Sequence, residues 1–407
     1  MVVVTKKDKQ KYLMSILLFL FGLGVGNLEK IFILGFFVIV FWNHTKYHNY
    51  LIKRRSQLIP LALWGFFFSI MFVLEGGDIA GNLVYYLVAP SIMCVYGHDL
   101  INDDSSESLE SDFLWYVYIV SLGFFLHSVI SVVLSAKGGI FQYNAEYIKD
   151  VWSGRMISRT IMGMYMVPSV CVSIPMFFRV EGKHQILQKV LAVIVVVSAL
   201  ITSIYVGNRA LLIISGMLLI ISFIVALRFT KKKIRLIGFA ILFLIVVTCL
   251  FGSNVLKLEV LVGNSFLAKR SMDIKSDGRF EVYKLVIQNF DNYLLGWLSS
   301  GGYIEGTSLK WAHNVWVDVF IYGGVVPFLL FMNYSLRVMR DAVAVLKNKF
   351  LKTTTKVTVI ALLIGIFLNW AVEPVLQSNP YFLSACCMIF GMYASLKLYR
   401  GDKKNVS

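Results

Sequence analysis

At 407 residues, with 58% hydrophobic and 15% charged side chains and a mean hydropathy of +0.73, the chain falls well short of the roughly one-quarter charged residues of soluble domains. That composition excludes an ordinary water-soluble globule. The net charge of +16 would suit a nucleic-acid binder, but the basic residues sit in short clusters between apolar runs rather than in one patch, so no nucleic acid is expected as a partner.

Apolar runs between polar breaks predict twelve spans, at about 12–26, 28–42, 58–75, 80–97, 113–134, 157–178, 189–206, 210–228, 235–252, 314–336, 357–372 and 380–398. Runs such as 190–206 and 210–227 carry no charge and must cross, because lipid offers backbone amides no partner. The first run follows Lys6, Lys7, Lys9 and Lys11, as a signal peptide would, but no small-x-small cleavage site follows and it is read as a retained span. Basic clusters flank 12–42 on both sides, which favours a tight hairpin there.

Most of the 39 Lys and Arg then fall on one side, which predicts an all-α polytopic membrane protein with both termini in the cytoplasm and the bilayer as its solvent. The acidic, serine-rich stretch 98–112 reads as a solvated cytoplasmic loop, and 253–313 as one large extracytoplasmic loop between spans nine and ten of a single membrane domain, 1–407. Cys94, Cys171, Cys249, Cys386 and Cys387 all lie in apolar stretches and read as packing residues. No repeat of fixed period is visible.

Three places on the predicted outer face carry ionisable groups that lipid would penalise. Gly207-Asn208-Arg209 separates two uncharged runs, so Arg209 sits at the end of a helical hairpin, where a guanidinium can bind phosphate bidentately or reach the headgroups. In the long loop, Phe280, Tyr283, Ile287 and Phe290 follow helical spacing and predict an amphipathic helix, with Asp277 as N-cap and Arg279 in the first turn. A cation in that turn suits a bound anion or a salt bridge to Asp277 or Glu281. Trp311-Ala312-His313-Asn314 closes the loop where the next apolar run starts, placing His313 at the water–lipid boundary, where a neutral imidazole can take a proton from a sugar hydroxyl. Asp318 follows within the tenth span, Pro168 and Pro175 lie in the sixth, and Asn369 and Glu373-Pro374 lie near the end of the eleventh. There is no Walker A sequence, no His-Glu-x-x-His and no carboxylate pair on the outer face, so neither a metal nor a cofactor is expected.

Read together, an arginine between two consecutive spans (Arg209), Gly278-Arg279 with the aromatic Tyr283, Leu295-Gly296, and His313-Asn314 followed by Gly323-Gly324 resemble the O-antigen polymerase and O-antigen ligase superfamily of bacterial polysaccharide assembly. The likeness covers about 205–325; it departs where Asn208 and Ala210 flank the first arginine, where Tyr283 replaces the usual tryptophan, and where Trp297-Leu298 follows Gly296. The resemblance implies a fold like that of GT-C membrane glycosyltransferases, a bacterial cytoplasmic-membrane location, and a polyprenyl-pyrophosphate-linked oligosaccharide as substrate. It further implies metal-independent transfer at the outer face, with a flippase and a chain-length regulator as partners. In this reading Arg209 and Arg279 hold the pyrophosphate, His313 acts on the acceptor hydroxyl, and Asn314, Tyr283, Glu281 and Asp318 contact substrate. Polymerase is favoured over ligase; a flippase or secondary transporter is the alternative from another class.

Overall fold

The computed structural model describes residues 6–46, 56–74, 78–101, 109–138, 147–177, 185–229, 279–301 in part with 304 and 306–307, 311–378 and 380–399, plus isolated positions between 233 and 241. Most of the ninth predicted span, Cys249, and the loop stretch containing Asp277 and Gly278 lie outside the described residues, as do the side chains of Arg279 and Phe280. The chain is mostly helical. Among the described residues five helices are long and apolar enough to cross a membrane, Ile79–Leu100, Leu109–Lys137, Arg159–Phe177, Ile186–Val206 and Thr353–Val372, which is compatible with a membrane protein.

The helices in chain order are α1 (Lys6–Leu23), α2 (Glu29–Lys46), α3 (Leu58–Leu74), α4 (Ile79–Leu100, with a π-helical stretch Leu83–Val88) and α5 (Leu109–Lys137). A short hairpin of β1 (Tyr147–Lys149) and β2 (Met156–Ser158) leads into α6 (Arg159–Phe177), α7 (Gln185–Val206) and α8 (Arg209–Phe229). Beyond the stretch outside the described residues come α9 (Arg279–Gln288), α10 (Trp297–Ser300), α11 (Val315–Gly323), α12 (Val325–Lys347), α13 (Thr353–Val372), α14 (Val375–Ser378) and α15 (Pro380–Leu396). The first predicted pair of spans is indeed two helices, broken by left-handed residues at Gly24, Gly26 and Asn27.

Backbone contacts divide the chain into two units, one made of Met1–Asn27, Leu114–Met272 and Leu351–Asn369, the other of Leu28–Phe113, Asp273–Phe350 and Trp370–Ser407. In the first unit, α1 and α5 touch backbone to backbone: a Cβ on Gly22 would strike the Val120 carbonyl and one on Gly123 the Phe19 carbonyl. Small residues permit such approach, and dispersion plus interhelical hydrogen bonds then hold the pair, here Trp115 Nε1 donating to Ser15 Oγ at 2.8 Å. The β-hairpin is tied down beside them. His127 on α5 faces the Leu23 carbonyl with Nδ1 (2.9 Å) and the Asp150 carboxylate with Nε2 (2.6 Å), and the ring can donate to both only as the imidazolium. Asp150 also accepts from Ser153 N and Oγ and from Trp152 N. Burial alone would raise the Asp150 carboxyl, but hydrogen bonds from His127 and Ser153 and the imidazole's charge outweigh it and hold the group far below the usual carboxylate range.

In the second unit α4 and α15 approach through Gly97, packed on the Met388 carbonyl, and Gly391, packed on that of Cys94. α3 and α12 run antiparallel: Trp64 lies against Phe331 (4.7 Å between centroids), and Gln57 donates to Asp341 at 2.8 Å. Lys397 reaches the other Asp341 oxygen at 2.7 Å, so one buried carboxylate joins α12 to the start of α3 and the residue just past α15.

Removing either partner of the buried His127–Asp150 pair strands the other, at a cost of about 3–5 kcal/mol. His127→Ala and Asp150→Asn should therefore each lower the melting temperature of the detergent-solubilised protein well below that of a surface control such as Lys233→Ala. Because the folded Asp150 pKa is depressed, its contribution is present above the unfolded value of about 3.9 and is lost as pH falls below it, so the protein should lose stability to acid below about pH 4.

Candidate functional site

The tenth predicted span, 314–336, is not one helix. The apolar run breaks at Gly324 (φ 82°, ψ −172°), a conformation open essentially to glycine, and the chain turns back on itself there. α11 and α12 lie antiparallel side by side: Gly323 abuts Pro327, the Phe320 and Phe328 rings sit 5.5 Å apart, and Trp316 Nε1 donates to Ser335 Oγ at 3.1 Å. With nine residues, α11 is about 14 Å long, too short to cross a bilayer. Residue 311 meanwhile packs beside the far end of α11, the Trp311 and Tyr322 rings being stacked at 4.3 Å, so 311–314 runs down alongside the helix that then climbs back. His313 and Asn314 thus form the tip of a loop that turns back beside α11. The tip lies near Ser335, about ten residues or about 15 Å along α12 from its start.

A descending arm with no helix or strand of its own must find partners for its amides. Asp318 supplies them: fully buried, it accepts from Ala312 N at 2.7 Å through Oδ1 and from Asn314 N at 3.3 Å through Oδ2. Asn314 caps α11, its Oδ1 accepting from Trp316 N (3.1 Å) and Val317 N (3.2 Å). Between the two clamped residues His313 takes φ +56°, a left-handed conformation uncommon outside glycine and found where surrounding structure enforces it. The Asp318 carboxylate thus holds the backbone that carries His313.

The loop tip meets α9 and the end of α13 on one atom. The Ala371 carbonyl accepts from Asn314 Nδ2 at 3.3 Å and from Tyr283 Oη at 3.4 Å. Arg279 opens α9 one turn before Tyr283, at the i, i+4 position on the same helix face. Two residues beyond Ala371, Glu373 is 2% exposed, and its carbonyl accepts from Val375 N. The apolar stripe expected for α9 is split: Val282 and Val286 are buried, whereas Ile287 is 74% exposed and Phe290 half-exposed against Phe320. Glu281 is exposed.

The glycines of the sequence pattern hold this arrangement together. Gly296 (φ 61°, ψ −133°) and Gly324 cross backbone to backbone, Val325 N donating to the Leu294 carbonyl at 3.0 Å, and a Cβ on either would strike the opposing main chain. Tyr283, His313, Asn314 and Asp318, with the backbone of Arg279, therefore gather in the second unit.

Arg209 belongs to the first unit. There Gly207 (φ +68°) makes the turn, and Asn208 caps α8 by accepting from Leu211 N at 2.9 Å and donates to the Thr160 carbonyl at 3.3 Å, against a Gly163 that leaves room for it. Arg209 is the first residue of the helix so fixed. The sequence reading missed Asn208 as a cap and Ala371 as a shared acceptor. The Asn314–Asp318 spacing and the Gly323-Gly324-x-x-Pro327 break were available signals for the loop. Among the described residues no three His, Cys, Asp or Glu side chains cluster to hold a metal ion.

Asp318→Ala would orphan the buried Ala312 amide and the part-buried Asn314 amide, at about 1–3 kcal/mol each. The variant should melt lower than wild type by an amount reflecting about 2–6 kcal/mol, and Asp318→Asn, which keeps one acceptor oxygen, should fall between; thermal unfolding in detergent measures both. Gly324→Ala should be destabilised comparably by strain and clash. Comparison of the chain with protein-family models and with characterised proteins gives no match to either.

Proposed function

We propose that the chain is a bacterial membrane glycosyltransferase that polymerises polyprenyl-pyrophosphate-linked oligosaccharide repeats at the outer face of the cytoplasmic membrane, for capsule, exopolysaccharide or O-antigen. The proposal includes the twelve-span topology with both termini inside and a GT-C-like architecture. The observation that carries it is the meeting, on the Ala371 carbonyl, of Tyr283 and Asn314, residues that the family resemblance picks from two separate stretches of the chain.

The loop tip holds His313 in one backbone conformation, and such pre-positioning supports proton transfer. In the proposed step an acceptor sugar hydroxyl attacks the anomeric carbon of the donor as the carbon–oxygen bond to pyrophosphate breaks. The hydroxyl proton passes to His313, and the polyprenyl pyrophosphate leaves with the bonding electrons, inverting the anomeric centre. Arg279, at the start of α9, neutralises the charge growing on the pyrophosphate. The resemblance assigns Arg209 the same role; it belongs to the other unit and is tested on its own.

One observation favours a second reading. Short helices whose N-termini end inside a bundle are also how secondary transporters build substrate sites, so a flippase of lipid-linked oligosaccharide would use the α11 tip too. Polymer length separates the readings. In cells carrying His313→Ala, Arg279→Ala or Arg209→Ala, with each variant confirmed in the membrane, extracted glycan should consist of single repeats on the carrier, synthesis having fallen roughly 10²–10⁴-fold. Normal long chains in all three would refute the assignment. Repeats trapped on the cytoplasmic face would favour the flippase.

A further inference from the structure

Above the His313 tip the second unit presents a set of near-parallel aromatic rings. Tyr322, at the C-terminal end of α11 and 3% exposed, stacks on Trp311 at 4.3 Å and 22°, on Phe72 of α3 at 5.3 Å and 3°, and on Trp297 of α10 at 6.3 Å and 12°. The two tryptophans remain partly exposed while Tyr322 is closed off. Elsewhere in this unit rings also meet edge to face, as Phe68 does with Tyr86 at 87° and Trp370 with Phe390 at 83°. Parallel stacking leaves the outermost ring of a set with a whole π-face rather than an edge to offer.

We infer that Trp311 and Trp297 each offer a stacking face to a pyranose ring of the oligosaccharide near the His313 site, an inference that rests on the glycosyltransferase reading. The axial C–H bonds of one face of a pyranose are slightly positive and apolar in shape, a match for the negative face of an indole, while the ring hydroxyls stay at the rim. Trp311 lies two residues before His313, on the arm that Asp318 clamps at Ala312, so a sugar laid on its ring is held a fixed short distance from the imidazole. Trp297 comes from α10, whose position is set by the Gly296–Gly324 crossing. A stacking face recognises ring shape and not a particular hydroxyl pattern, which suits an enzyme that must accept a chain lengthening by one repeat at a time.

The test compares Trp311→Leu and Trp297→Leu with Trp311→Phe and Trp297→Phe in membranes, using as probe the lipid-linked repeat that accumulates in cells carrying His313→Ala. Each Leu variant should raise the apparent KM for that repeat about tenfold with little change in kcat, and the Phe variants should restore most of the affinity. Binding of the same repeat to purified protein, read as thermal stabilisation, should weaken in parallel and needs no turnover. Leu variants that bind and polymerise like wild type, or Phe variants no better than Leu, would overturn the stacking role. If His313→Ala is inactive in either case, the glycosyltransferase reading survives that failure; if His313→Ala polymerises normally, the reading itself falls.

Discussion

The second unit depends on how four residues of irregular backbone, 311–314, find partners for their amides. The arm 311–314 has no ladder partner, and an unpaired amide there costs free energy comparable to a lost hydrogen bond. Asp318 meets that demand from one turn into α11, taking the amides of Ala312 and Asn314, while Asn314 repays the helix by capping it. The pattern is reciprocal in the manner of a capping box, with the carboxylate one position further along. Without it the loop tip has no reason to be where it is, and neither does His313.

From this clamp the rest of the corner follows. Fixing Asn314 fixes the amide that reaches the Ala371 carbonyl, and the same carbonyl receives Tyr283, so α9, α11 and the end of α13 are registered to one another through a single acceptor. The Gly296–Gly324 crossing closes the outer side, since only residues without a Cβ let those two stretches pass. At the opposite end of the unit, Asp341 joins three segments in the same manner, one buried carboxylate answering Gln57 and Lys397. Asp318 and Asp341, both buried, thus each accept two hydrogen bonds from separate segments.

Much of the helical plan was legible because its signal is long and additive. The uncharged runs around 190–206 and 210–227 became α7 and α8 within a few residues, and α5, α6, α13 and α15 likewise match their apolar stretches. The error at 314–336 is instructive: hydropathy adds apolar residues without regard to direction, so a helix, a reversal at Gly324 and a second helix sum to the same value as one span. Only the paired glycines and Pro327 marked the break. Of the candidate site, the residue types were readable, and the backbone groups those side chains hold were not. Asp318 was visible as a costly buried acid, but whether such an acid faces a ligand or its own backbone is decided by tertiary placement. The same holds for Asn208, whose use as a cap and as a donor to Thr160 depends on Gly163 making space across the unit.

The central claim is that the tip of the loop that turns back beside α11 touches lipid-linked glycan. A photoreactive phenylalanine analogue placed at position 313, and as a control at Leu329, which is 59% exposed on the outside of α12, tests it by ultraviolet cross-linking in native membranes followed by glycan detection on the protein. The account predicts a glycan-bearing adduct from position 313 and none from 329. An adduct of equal yield from both positions, or none from 313 in a protein that remains folded, would contradict it.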